Sequence, residues 1–102
     1  MRKSSEGADI ARHLTIQGRV QGVWYRAWAV QVAKDIGVCG WVRNCSDGSV
    51  EAMVQGAPDA VERFIERARD GSPASRVEAV LVRDAAPIDA NEFAQRPTLR
   101  RE

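Results

Sequence analysis

The segment Gly18-Arg19-Val20-Gln21-Gly22-Val23-Trp24-Tyr25-Arg26 holds the residue types best placed to do chemistry in this chain. Gly18 and Gly22 lie four apart, and glycine tolerates positive φ and lets the backbone come close to a ligand. Apolar alternation precedes the segment (Leu14, Ile16) and a helical pattern follows from about Trp24. It therefore reads as a strand-to-helix loop, where converging N–H groups and the helix dipole favour an anion. Arg26, on the first turn of that helix, adds a planar fork suited to two phosphate oxygens. Taken alone, the glycine spacing fits a phosphate cradle or an ordinary strand–helix connection.

The elements that must position these residues follow from periodicity. Residues 11–17 alternate, with Leu14 and Ile16 on one face and His13, Thr15 and Gln17 on the other, which predicts a half-buried strand. Tyr25, Ala29, Val32 and Ile36 form one helix stripe, and Gly37 is placed to end it in the left-handed region. A second strand is expected from Val38 to Cys45, with Val38, Gly40 and Val42 in phase and Asn44 continuing that phase. Ser46-Asp47-Gly48 is a hairpin turn signal, and Val50, Ala52 and Val54 face inward on the returning strand. Pro58 and Asp59 suit the first turn of another helix, with a buried stripe of Ala57, Val61, Phe64, Ile65 and Ala68. Arg76 to Arg83 is a fourth strand, and a weak final segment around Phe93 should stop at Pro97. The order βαββαβ predicts an α+β, ferredoxin-like fold: an antiparallel sheet of four to five strands with two helices on one face. Thr15, Gln17, Arg43, Ser49, Glu51 and Gln55 are expected on the other, solvated face. The domain is placed at 11–97, between a flexible tail at 1–10 and a short tail at 98–102.

A second stretch gives the first its meaning. Gly40-Trp41-Val42-Arg43-Asn44 is followed by Gly48, Val50 and Gly56. Together the two stretches resemble the acylphosphatase family. That family carries apolar-x-Gly-x-Val-Gln-Gly-Val-x-(Phe/Met)-Arg, and later Gly-aromatic-x-x-Asn, three residues, Gly-x-Val, five residues, Gly. Ile16, Gly18, Val20, Gln21, Gly22, Val23 and Arg26 match the first pattern; Gly40, Trp41, Asn44, Gly48, Val50 and Gly56 match the second. Tyr25 departs from it, standing where the family has Phe or Met.

The resemblance implies hydrolysis of the carboxyl–phosphate anhydride of small acyl phosphates to a carboxylate and inorganic phosphate. It implies that N–H groups across Gln21, Gly22, Val23, Trp24, Tyr25 and Arg26 cradle the phosphoryl oxygens, with the Arg26 guanidinium as clamp. Asn44 would hold the attacking water, since a neutral amide orients a nucleophile without deprotonating it. Trp24, at the family's variable position, is a candidate for the acyl side of the site. Judged by residue type alone, Arg26 also fits a solvent-facing helix arginine, and Asn44 a residue bonding its own turn. Acyl phosphate, as substrate, and phosphate, as product and competitive inhibitor, are the expected partners.

Composition fits this chemistry. The 102 residues are 44% hydrophobic and 28% charged, enough for one soluble domain, and no apolar run of membrane-spanning length occurs. The net charge of +1 hides an asymmetry. Residues 10–46 carry Arg12, Arg19, Arg26, Lys34 and Arg43 against Asp35, a balance of +4, while residues 47–102 carry 8 basic and 11 acidic residues. The basic part holds both motifs, so the asymmetry fits either a field that would draw a small anion or a chance distribution of surface charge. Cys39 and Cys45 lie six apart on one expected strand, roughly 20 Å at strand rise, too far for a disulfide. Two free thiols and a polar start without a signal sequence point to a cytoplasmic protein, expected to be a monomer. His13 is the single histidine, no metal-ligand spacing or cofactor motif is present, and no Ser–His or Cys–His pairing is available. Phosphoryl transfer suits such a site because it needs positioning and charge stabilisation above all. Two rivals are a noncatalytic phosphate-binding module and an RNA-binding domain of the same βαββαβ order. RNA binding would stack bases on strand aromatics, and only Trp41 lies near the expected open face.

Overall fold

Strand alternation and two amphipathic stripes produce the order β1 (Ile10–Arg19), α1 (Tyr25–Ile36), β2 (Cys39–Cys45), β3 (Val50–Gly56), α2 (Pro58–Asp70), β4 (Arg76–Ala85) and β5 (Phe93–Leu99). The computed structural model describes residues 9–99. The sheet order is β4-β1-β3-β2-β5, with β1, β3, β2 and β4 paired antiparallel as ferredoxin-like topology requires. The apolar phase of each inner strand lies under the helices. Leu14, Ile16, Val42, Val50, Ala52 and Val54 meet Ala29, Val32 and Ala33 of α1, and Val61, Phe64 and Ile65 of α2, in one core.

Helix ends follow the expected chemistry. Gly37 closes α1 at φ 96°, donating its N–H to the Ala33 carbonyl. Pro58 opens α2, whose N-cap is Ala57. That cap position leaves Ala57 exposed, and Ala60 takes its expected place in the buried stripe.

Three expectations need correction. The sheet is mixed, because β5 pairs parallel to β2, and β5 runs through Pro97 to Leu99 rather than stopping at Pro97. An edge strand tolerates the missing N–H, and the β2–β5 register shifts between Arg43 and Cys45. The open face is also less solvated than expected: Ser49 and Glu51 are buried. Glu51 lies opposite Arg43 in register, so its carboxylate accepts from Arg43 Nε at 2.8 Å and sits 2.6 Å from His13 Nε2. Burial raises its pKa, but the hydrogen bonds from His13 and Arg43 outweigh that and hold it below the ordinary value. Ser49 is held by Asp47, whose Oδ1 accepts from the Ser49 N–H and hydroxyl at 3.0 and 2.6 Å. Of the terminal segments expected as tails, residues 1–8 and 100–102 lie outside the described residues.

Candidate active site

The loop between β1 and α1 is built on positive-φ positions. Gly18 (φ 129°) crosses so close to β4 that a Cβ there would collide with the Arg76 carbonyl oxygen, and Gly22 (φ 73°) bends the loop back. Trp24 (φ 65°, ψ 20°) is the one non-glycine residue with positive φ among those described, and it is the N-cap of α1. Among the described residues no side chain caps this helix end, and no acidic residue lies in its first turn. Its leading N–H groups therefore keep their donors, and the positive end of the helix dipole, for a ligand.

Around this helix end opens a cleft of about 310 Å³, lined by Val20, Gly22, Trp24, Tyr25, Arg26, Ala27, Asn44 and Gln95. Arg26 and Asn44, distant in sequence, thus share one cavity. Strand phase brings Asn44 there, because it follows Gly40 and Val42 onto the helix-covered face at the end of β2. Its Oδ1 is buried and has no hydrogen-bond partner among the described residues. Buried polar atoms are nearly always paired, so an orphaned acceptor in a cleft calls for a ligand or water. The Arg26 guanidinium reaches the Arg96 carbonyl through Nη1 at 3.3 Å, a long bond that a phosphate's paired oxygens would outcompete.

Gln21 and Tyr25 do more than their backbones were expected to do. The Gln21 side-chain amide donates to the Cys45 carbonyl at 2.8 Å and the Ser49 carbonyl at 2.7 Å, tying the loop to the strand end that carries Asn44. The Tyr25 hydroxyl, buried, donates at 2.9 Å to the Ala68 carbonyl in the last turn of α2, where carbonyls lack helical partners. The departure from Phe or Met is thereby satisfied, and burial pushes the phenol's pKa up, keeping it a donor. Val23 packs partly buried against the core rather than lining the cleft. Gln95 was missed by sequence reasoning. Its strand, β5, carries one buried apolar residue, Phe93, before exposed positions, so no alternation marked it.

A larger cleft of about 430 Å³ lies at the opposite end of β2, lined in part by Lys34, Cys39, Asp9 and Glu92. Its two carboxylates suit an anion poorly. Among the described residues no group of three or more His, Cys, Asp or Glu side chains could hold a metal, and no helix is long and apolar enough to cross a membrane. Trp41, 9% exposed, lies under the Arg43 and Arg96 guanidiniums at 4.5 and 5.0 Å, so it offers bases no open platform.

The ferredoxin-like fold thus brings an uncapped helix end, the Arg26 guanidinium and the buried Asn44 Oδ1 to one cleft, the groups a phosphoryl ligand would need. The acylphosphatase family model matches residues 12–95, and the chain belongs to the acylphosphatase family. It is 52% identical over 97 residues to an acylphosphatase of Rhizorhabdus wittichii, covering 91% of this chain and 98% of that protein. It is 57% identical over 88 residues to one from Azoarcus sp., covering 86% and 90%. The solved acylphosphatase of Coxiella burnetii superposes with a TM-score of 0.83 at 31% identity, over 86% of this chain and 93% of that one. The chain is an acylphosphatase hydrolase, and its family implies acyl phosphates as substrates and inorganic phosphate as product.

Proposed function

We propose that the cleft hydrolyses acyl phosphates by positioning and charge alone, with Arg26 and Asn44 as its catalytic residues. The N–H groups of Gln21, Gly22, Val23, Trp24, Tyr25 and Arg26 cradle the phosphoryl oxygens, and the Arg26 guanidinium clamps two of them. Asn44 Oδ1 accepts a hydrogen bond from a water, aiming its lone pair at phosphorus. The water oxygen bonds to phosphorus as the phosphorus–acyl oxygen bond breaks. The electron pair leaves with the carboxylate, and the water's proton passes to the phosphate product or to solvent. A carboxylate is a good leaving group, so neither a strong base nor a metal is needed, and catalysis rests on charge stabilisation in the transition state. Phosphate, sharing the cradle, inhibits competitively. The orphaned, buried Asn44 Oδ1 in the same cleft as Arg26 carries this reading. Free Cys39 and Cys45 support a cytoplasmic protein, and we take it to work as a monomer.

The test is benzoyl phosphate hydrolysis followed by ultraviolet absorbance, with EDTA present and Arg26→Ala alongside. Turnover that survives EDTA and is lost in the variant is the expected result. Inhibition by EDTA would overturn the metal-free mechanism, and an undiminished Arg26→Ala rate would remove the clamp.

A further inference from the structure

The Trp24 side chain is unlike the other tryptophans. Trp28 packs against Tyr25 at 5.2 Å, and Trp41 is covered by two guanidiniums. Trp24 is 83% exposed, and among the described residues its indole has no hydrogen-bond, ring-stacking or cation–π partner. It also occupies a left-handed conformation that bulky side chains avoid, where glycine or asparagine would sit without strain. Strained positions of this kind cluster at ligand clamps, where the strain is part of the mechanism. Trp24 lines the cleft together with Arg26, Asn44, Val20 and Ala27. At about 310 Å³ the cleft falls in the size range of small-molecule sites, more than a phosphoryl group alone occupies.

We propose that Trp24 is a specificity-determining residue whose indole is the platform for the acyl group, selecting aromatic acyl phosphates over short aliphatic ones. This rests on the acyl phosphate reading of the cleft. The phosphoryl end is gripped identically in every acyl phosphate, so discrimination must come from what lies beyond it. An aryl ring stacked on the exposed indole buries apolar area on both partners and adds the attraction of offset aromatic rings, which a methyl group cannot match.

The test compares kcat/KM for benzoyl and acetyl phosphate in wild type, Trp24→Gly and Trp24→Tyr. Glycine accepts the backbone conformation while removing the ring. Any damage to the cradle lowers both substrates together and cancels in the ratio of the two values. The benzoyl-to-acetyl ratio should fall roughly 3- to 10-fold in Trp24→Gly, mainly through KM, and be largely kept in Trp24→Tyr. An unchanged ratio in Trp24→Gly overturns the platform. If wild type cleaves neither substrate, the hydrolysis reading fails separately. Equilibrium titration with benzoylphosphonate and acetylphosphonate then decides: tighter benzoylphosphonate binding that Trp24→Gly abolishes upholds the platform, and equal wild-type affinity refutes it.

Discussion

The side-chain amide of Gln21 spans to the Ser49 carbonyl at 2.7 Å, so the loop that would hold the phosphoryl group hangs from the hairpin beside Asn44. Its second bond, to the Cys45 carbonyl, grips the residue next to Asn44 itself. Arg26 and Asn44, the proposed clamp and water-orienting amide, are thus held at a fixed spacing by Gln21, whose side chain bonds two backbone carbonyls.

Replacing Gln21 should therefore act through geometry. Gln21→Glu sets a carboxylate against two carbonyl oxygens and loosens the loop from the hairpin. Turnover should fall on the order of 10- to 100-fold, because small misplacements of reacting groups carry costs of that size. Steady-state kinetics of Gln21→Glu check this, and wild-type kcat would show that the latch does not set the spacing.

Asn44→Ala separates orientation from binding. It should lower kcat on the order of 100- to 1000-fold, as loss of one oriented transition-state interaction does. Phosphate should still inhibit with near wild-type affinity, since the cradle and Arg26 remain. Near-wild-type turnover would remove Asn44 from its role.

Tyr25→Phe restores the residue common in the family but leaves the Ala68 carbonyl without its partner. The expected loss is about 1–2 kcal/mol in urea unfolding, with the m value unchanged. A variant as stable as wild type would mean that water serves Ala68 equally well.

Glu51 links the open face to acid stability. Its pKa is held below the ordinary 4.5 in the fold, so the unfolded chain binds its proton more readily. Its contribution is complete above the unfolded value and is lost as pH falls through the folded one. Thermal unfolding of Glu51→Gln should therefore show a shallower decline than wild type below about pH 4.5. Equal slopes would mean that other carboxylates govern the acid limb.

Local rules made the places of the loop, Arg26 and Asn44 legible, while the roles proposed for them came from the resemblance between the two motifs and the family pattern. Glycine spacing bends the loop, a helix stripe fixes the first turn, and strand phase turns Asn44 inward. Gln21's latch, the Tyr25–Ala68 bond and the burial of Glu51 depend on which strand lies beside which and in what register. Those are tertiary facts with no periodic trace. Gln95 escaped for the same reason: its strand joins β2 in parallel, a pairing no hairpin signal announces.

The position of β5 also has a consequence in time. A chain synthesised through β4 already contains the cradle residues, Arg26 and Asn44, and can pair every other strand. It lacks Gln95 and the Arg96 carbonyl that Arg26 reaches. Completing the cleft requires this edge strand, the last to be made, to join β2 at pairs such as Val42 and Gln95. In a chain growing from its N-terminus, phosphate affinity should thus mature when β5 docks rather than when the β1–α1 loop and α1, which supply most of the lining, are in place.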